Sequence, residues 1–443
     1  MISRRDFIIH SSVAAAGLMI PGALMGADSP SGKRGSNEKI RVGLIGCRNM
    51  GWGDYVKFLQ FPEAECTALC DIDRNVLEKR AAELEKLTGN KPKLYSDYRK
   101  MLEDKDIDAV VIGTPDHWHC LMTCDACAAG KDVYVEKPLA NSIAECDAMV
   151  AFAEHYKRVV QVGQQQRSGL IWQEMKKYLD SGSLGRIAKV NVWGNFSYAS
   201  IPSPAQDSTP PEGVDFDMWL GPAPMRSFNS SRFHGSWRMF WDYGGGLVTD
   251  WGVHLLDMAL WGTNTIKLPR RVMATGGNFA YPTNYAETFD TLSVLWEYDD
   301  LTIQWNNVAA TEVGPYGKNY GLEFLGTEGV MVANREGWEV IPKPGSKLEP
   351  ASFQPDNKDR INHVGNFLEC IRTRNLEPAC TIRNGSFCAK FAHLGNIAAR
   401  TRTCLVYDDV RKTFGNSEAD RLLKPAYRAP WVFPEIDSKK KKK

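Results

Sequence analysis

Asp250, His254 and Asp257 stand four and three positions apart in residues 243–261, YGGGLVTDWGVHLLDMALW, a run otherwise dominated by glycine and large apolar side chains. At 3.6 residues per turn these three fall on one narrow stripe of an apolar helix. A buried, unpaired charge costs several kcal/mol or more, so such a stripe either pairs internally or faces a cavity. In a cavity, these ionisable groups are candidates for a functional site. In a plain core, Asp250 is only a helix cap and His254 a satisfied histidine. A partner from elsewhere in the chain has to separate the two readings.

Three further clusters follow apolar runs. Gly46-Cys47-Arg48-Asn49-Met50-Gly51 comes after residues 40–45, Thr114-Pro115-Asp116-His117-Trp118-His119 after 109–112, and Glu136-Lys137-Pro138 after 133–135. The first has the outer glycines of the G-x-G-x-x-G dinucleotide turn, with Arg48 in place of the middle one. That glycine normally admits the pyrophosphate to the backbone; a guanidinium there can donate to a phosphate in a bidentate fashion. Asp71 ends the next apolar run, 66–70, where a carboxylate accepts from the adenosine ribose and repels a 2′-phosphate. NAD is therefore the expected cofactor, with NADP left open by Arg48. Helix-like stretches at 50–60, 74–87, 119–129 and 143–155 alternate with the apolar runs, which also include 159–162. The alternation predicts an α/β fold with a parallel sheet covered on both faces, whose ligands bind beyond the carboxyl ends of the strands. Lys137 falls at that edge.

These four motifs, in this order and on these elements, resemble the glucose–fructose oxidoreductase / inositol dehydrogenase / MocA (Gfo/Idh/MocA) family from about residue 39 to about residue 408. The resemblance implies an N-terminal Rossmann domain and a C-terminal α+β domain with a large, mostly antiparallel open sheet. It implies that Lys137, Asp250 and His254 are catalytic. It also implies cofactor contacts from Gly46, Arg48, Asn49, Met50, Gly51, Asp71, Thr114, Pro115, Glu136 and Lys137, with His119 lining the nicotinamide site.

In the second half, strand-like runs at 189–196, 271–275, 291–298, 301–305, 321–325 and 330–333 fit one open sheet, and 362–373 and 384–402 read as closing helices. The outer face of that sheet is the expected homo-oligomer interface, because a broad apolar face must be covered. Residues 197–242 are irregular and rich in Pro, Ser, Gly and aromatics, among them Trp219, Phe233, Trp237, Phe240 and Trp241. Long loops of this kind build binding sites, and aromatic faces beside charged groups suit a sugar or cyclitol ring. The competing reading is that the rings pack the loop onto the sheet. Arg167, at the head of a linking helix 167–180, together with Trp237 and Arg238, is the expected substrate contact.

Composition bounds the remainder. With 443 residues, 43% hydrophobic and 24% charged, the chain is long enough for two large domains. Its formal charge of +1 owes its sign to the five terminal lysines, so no nucleic-acid footprint is indicated. Ser3-Arg4-Arg5-Asp6-Phe7-Ile8 ahead of a short apolar stretch has the order of a twin-arginine export signal. That stretch is too short and too broken by Gly17, Pro21 and Gly22 for a lasting membrane anchor. The expected location is periplasmic or otherwise exported. Eleven cysteines, without a His/Cys pair at zinc spacing, read as core thiols, and no metal is expected. The expected division is signal and linker 1–37, cofactor domain 38–165, substrate and oligomerisation domain 166–410, and an extension 411–443, with C-terminal helices able to pack back on the cofactor domain. The function expected is hydride transfer between NAD(P) and a secondary alcohol of a sugar, glycoside or cyclitol. The alternatives are a glycosidase working by transient oxidation and elimination, and a non-catalytic sugar-binding protein.

Overall fold

A computed structural model of the protein describes residues 38–355 and 358–436. The segment expected to be an export signal and the terminal lysines lie outside the described residues. Six short strands, β1 (Ile40–Ile45), β2 (Ala64–Cys70), β3 (Lys93–Tyr95), β4 (Ala109–Ile112), β5 (Asp132–Val135) and β6 (Val160–Val162), form a parallel sheet ordered β3-β2-β1-β4-β5-β6. Every position of β4 and β5 is buried, because helices cover both faces; this is why these strands read as unbroken apolar runs. The order reverses between β1 and β4, so the loops after those strands open a crevice at the carboxyl edge. Strand β3, half exposed at the sheet edge, has no apolar run and left no mark in the sequence pattern. The helix expected from residue 119 starts at Asp116 instead, so the TPDHWH motif forms its first turn beside the crevice.

The second sheet has eight strands: β7 (Ile187–Gly194), β8 (Arg271–Gly277), β9 (Thr291–Glu297), β10 (Thr302–Val308), β11 (Tyr320–Gly326), β12 (Gly329–Asn334), β13 (Gly337–Pro342) and β14 (Ala351–Phe353). Their order is β14-β13-β12-β11-β7-β10-β9-β8, and only the β7/β10 pair is parallel. The inner face buries Val192, Val294, Trp296, Ile303 and Trp305 against the helices Val253–Gly262 and Ile382–Thr401. The outer face, expected to be broadly apolar, is mixed: Glu323, Asn191 and Gln304 lie side by side across β11, β7 and β10 in a row that continues through Leu295 and Met273 on one side and Val332 on the other, Asn191 donates to Glu323 at 2.6 Å, and Ser293 donates to Asn306 at 2.8 Å. The helix Asp359–Thr373 returns to the parallel sheet, where Val364, Phe367 and Leu368 share a core with Ile40, Val42 and Leu44. Among the described residues no helix is long and apolar enough to cross a membrane, and the cysteines are free thiols, all but Cys404 buried.

Candidate active site

The crevice begins at the glycine turn. Gly46 has φ +87°, and a Cβ there would meet Gly113 backbone at 2.8 Å; a Cβ on Gly51 would meet the Gly46 carbonyl at 2.3 Å. These two glycines therefore let β1 turn straight into the helix Asn49–Tyr55, whose N-terminus faces the crevice. Arg48 takes the middle position in extended conformation and lines the cleft without blocking it. Asp71 fixes the turn: its Oδ2 accepts from Cys47 N at 2.7 Å and its Oδ1 from Asp73 N at 2.9 Å. Each oxygen keeps a lone pair for a ribose hydroxyl. Gly46, Arg48, Asn49, Met50, Asp71, Thr114, Pro115, Glu136 and Lys137 all line this one cleft, which fits a dinucleotide lying from Asp71 to Lys137. Gly51 sits behind it as a packing residue.

The cleft has a roof. Residues 212–238 cross from the second domain and are tied to the strand β2 loop: Arg74 N donates to Gly213 O at 2.9 Å, Asp215 N to Ile72 O at 3.0 Å, and Asn75 Nδ2 to Glu212 O at 3.0 Å. His234 Nε2 meets Asp73 Oδ2 at 2.7 Å. Met218, Trp219, His234, Trp237 and Arg238 are the residues of this roof that line the cleft. Trp237, expected at the substrate, thus lies against the cofactor cleft, and Trp219, Phe228 and Phe233 pack on Phe216 at ring distances of 5.2 to 6.3 Å. The loop aromatics mainly hold the roof together.

At the far end the catalytic candidates meet. Val248–Gly252 is a π-helical turn leading into the helix Val253–Gly262. Its i→i+5 bonding adds a residue to that turn. The single stripe expected of a regular helix is therefore broken: Asp250 and Asp257 serve different partners. Lys137 Nζ donates to Asp250 Oδ1 at 2.6 Å and to its carbonyl at 3.2 Å; Arg238 Nε donates to Oδ1 at 3.2 Å and Tyr198 Oη to Oδ2 at 2.6 Å. Burial alone would raise the Asp250 carboxyl, but the Lys137 and Arg238 cations hold it below the usual carboxylate range. A Cβ on Gly244 would fall 2.9 Å from Arg238 Cα, so the glycine run is what lets Arg238 approach.

His254 is 6% exposed, and its Nδ1 has no hydrogen-bond partner among the described residues. Burial, and then the Arg335 and Lys137 cations, push it well below the ordinary histidine value, so it is neutral and able to accept a proton. It lines a second cavity of about 700 Å³ with Lys137, Tyr198, Arg238, Asp250 and Trp251. The two cavities share Met50, Lys137 and Arg238. Gln166 Nε2 donates to His254 O at 3.1 Å and Gln164 Nε2 to Val253 O at 3.2 Å, which seats this helix on the loop after β6.

Two expected contacts lie elsewhere. Arg167 forms a bidentate pair with Asp257 at 2.8 and 2.7 Å and lines neither cavity; a buried carboxylate two turns along the helix from Asp250 claims it. His119 is fully buried behind the cleft, with Nδ1 2.8 Å from Pro138 O and Nε2 3.0 Å from Thr114 O, so the neutral ring packs between two ligand loops and donates to one of the two carbonyls. Tyr198, Gln165, Gln166, Arg335 and Arg360 line the second cavity and were not expected. Tyr198 lay in a stretch read only for its overall composition, and Arg335 in a β-turn whose sequence signals nothing but the turn.

Comparison with known proteins agrees with this architecture. Residues 40–164 match the oxidoreductase family NAD-binding Rossmann fold, residues 169–265 and 340–433 its C-terminal alpha/beta domain, and residues 222–332 the GFO/IDH/MocA C-terminal domain. An alpha-N-acetylgalactosaminidase of Shewanella oneidensis is 30% identical over 174 residues, and so is a glycosyl hydrolase family 109 protein of Shewanella sp. strain ANA-3; each match spans 35% of this chain and 38% of the relative's length. The WlbA dehydrogenase of Bordetella pertussis, in complex with NADH and UDP-GlcNAcA, is 22% identical with TM-score 0.63, over 84% of this chain and 99% of its own. Aldose-aldose oxidoreductase of Caulobacter crescentus is 21% identical with TM-score 0.62, over 83% and 100%. Those two structures share the fold of this chain. With family matches that together run from residue 40 to residue 433, the chain belongs to the Gfo/Idh/MocA family of NAD-binding oxidoreductases.

Proposed function

We propose that the protein is an exported oxidoreductase that transfers hydride between NAD and a secondary alcohol of a sugar, glycoside or cyclitol. The observation that carries this reading is the meeting of Lys137, Asp250 and His254 where the cofactor cleft joins a cavity large enough for a sugar ring. NAD, when bound, supplies the nicotinamide that accepts the hydride. His254, neutral and with an open face to the cavity, takes the hydroxyl proton. Lys137 donates a hydrogen bond to the reacting oxygen and stabilises its developing charge. Asp250, ionised and held by three donors, fixes the direction of the Lys137 ammonium. The sugar nucleotide bound by the Bordetella relative supports a carbohydrate substrate, and the arginine pair at the N-terminus supports export.

The Shewanella glycosidases favour a second reading, in which oxidation is transient and a glycosidic bond is eliminated before the hydride returns. A roof tied down over the cofactor cleft suits either a resident cofactor recycled within one cycle or one reoxidised by a second sugar. The test uses purified protein: mass spectrometry of the denatured chain for NAD, then aryl glycosides and free sugars with absorbance at 340 nm. NADH accumulating with a free sugar supports the dehydrogenase. Release of the aryl group without net NADH replaces it by the glycosidase. An empty protein that also fails to bind added NAD removes both.

A further inference from the structure

Among the described residues, the second cavity is lined by six cationic side chains, Lys57, Lys137, Arg238, Arg335, Lys358 and Arg360, and by two carboxylates, Asp250 and Asp359, the latter close enough to act electrostatically on Arg335. Asp250 is already shared between Lys137 and Arg238. Arg335 donates through Nε to the neutral Gln166 Oε1 at 3.1 Å and lies over the Trp251 ring at 4.5 Å, which holds the guanidinium rigidly on the cavity wall. Behind the wall sit Asp54 and Glu136, buried carboxyls that do not open into the cavity. Like charges crowded in a concave site repel one another, and a folded chain keeps such a site for a ligand of opposite sign.

The cofactor does not account for this charge. Arg48 and Asp71, at the glycine turn, line the first cavity and not the second, and the two cavities touch only at Met50, Lys137 and Arg238. Arg335, Lys358 and Arg360 line the second cavity and not the first, with Arg360 reaching Met50 Sδ at 3.6 Å where the two cavities join. Aromatic stacking does not characterise the cavity either: Trp251 has Phe196 stacked at 4.5 Å and Arg335 over its ring, so it offers no free face to a sugar.

We infer that the carbohydrate taken by this cavity carries an anionic group, a carboxylate or a phosphate or sulfate ester, seated against Arg335 and Arg360. The inference rests on the reading of the cavity as the substrate site of a sugar oxidoreductase. The guanidinium groups supply bidentate donors that fit either kind of anion. The reacting hydroxyl then lies at Lys137 and His254, with the anionic group held by the guanidinium groups that line the same cavity.

The experiment compares matched methyl pyranosides of gluco, galacto and manno configuration with their 6-carboxylates, 6-phosphates and 6-sulfates. Binding to NAD-loaded protein is followed by calorimetry and NAD reduction at 340 nm. The anionic members are expected to bind about tenfold or more tightly than their neutral counterparts, the range for a hydrogen bond to a charged group. The member bound most tightly tells carboxylate from ester. In Arg360→Gln and in Arg335→Gln that ratio falls at least tenfold; Arg360 does not carry the ring stack of Arg335, so its variant covers the case in which Arg335→Gln fails to fold. Equal binding of the two series, binding of neither, or an anion preference unmoved in a folded variant overturns the inference. Tighter binding of anionic members that drops in the variants, with no NAD reduction by any sugar, keeps the inference and removes the dehydrogenase reading instead.

Discussion

The Lys137 ammonium meets Asp250 Oδ1 at 2.6 Å across 113 positions of sequence, so the catalytic candidate of the parallel sheet is anchored on the π turn of the other domain. Both side chains are nearly buried, at 8% and 11% exposure. Removing one partner of such a pair strands the other, and here strands two cations, Lys137 and Arg238. Asp250→Asn is expected to lower stability at pH 7 by about 3–5 kcal/mol. The carboxyl's folded pKa is depressed, so its contribution is full above the unfolded value of about 3.9 and is lost as pH falls below it. Denaturant melts of variant and wild type should therefore converge toward acid pH. A deficit that stays constant from pH 7 to pH 3 would show that Asp250 acts through packing alone.

His254 gives a prediction in pH rather than in stability. Burial and the Arg335 cation keep its imidazole neutral to well below the usual histidine range. The acid limb of kcat/KM for wild type should therefore lie below pH 6.5. Removing a neighbouring cation relieves repulsion of the protonated ring and raises its pKa. Arg335→Gln is expected to move that limb toward higher pH, measured as a full pH profile. A limb unmoved in this variant assigns the titration to another group.

The roof predicts slow cofactor exchange. His234 binds Asp73 at 2.7 Å while Gly213 and Asp215 bond the backbone on either side of Asp73, so release of NAD is expected to require those contacts to part. His234→Ala is expected to raise the NAD dissociation rate roughly tenfold, about the worth of one hydrogen bond to a charged group. Stopped-flow displacement of NADH fluorescence measures it directly. An unchanged rate would mean that the roof opens elsewhere.

At the other end of the cleft, Asp71→Ala should weaken NAD binding and improve NADP relative to wild type, because a carboxylate placed to accept from the ribose would also repel a 2′-phosphate. Binding titrations with both dinucleotides check the ratio. Cys47 N and Asp73 N lose their acceptor in this variant, so some loss of stability accompanies it. A preference that does not move places the ribose on another group.

What could be read in advance divides along physical lines. Strands β1 and β4 were legible to the residue, since burial on both faces makes β4 an unbroken apolar run and leaves β1 apolar but for Arg41 near its start. The glycine turn was legible because Gly46 and Gly51 stand where no side chain fits. The π turn was not, because the apolar spacing of 247–262 satisfies an ordinary helix and the extra residue is set by tertiary contacts to Lys137 and Arg238. For the same reason Arg167 was misplaced: its partner Asp257 was assigned to the Asp250 stripe, and only the break in that stripe frees it. Tyr198 and Arg335 reach the cavity from a loop and a β-turn, where period carries no information about direction.

The last prediction concerns Lys137 and His254 together. Both line the cavity beside the cofactor cleft, and neither forms a hydrogen bond with the other among the described contacts, so a substrate oxygen is what would join them. If they act on that one oxygen, His254→Asn and Lys137→Met should each lower turnover by ~10²–10⁴-fold, the range for a positioned acid or base. Asparagine keeps approximate volume and polarity and removes only the titrating ring. The double variant should cost far less than the product of the single losses, because groups that act as one unit are not additive. NAD affinity, expected to depend on the glycine turn and Asp71, should change little in His254→Asn. Single-turnover rates on a sugar shown to reduce NAD, normalised to folded protein, decide the matter. Multiplicative losses would mean that the two residues act on different steps, and near wild-type turnover from folded His254→Asn would leave Lys137 as the proton carrier.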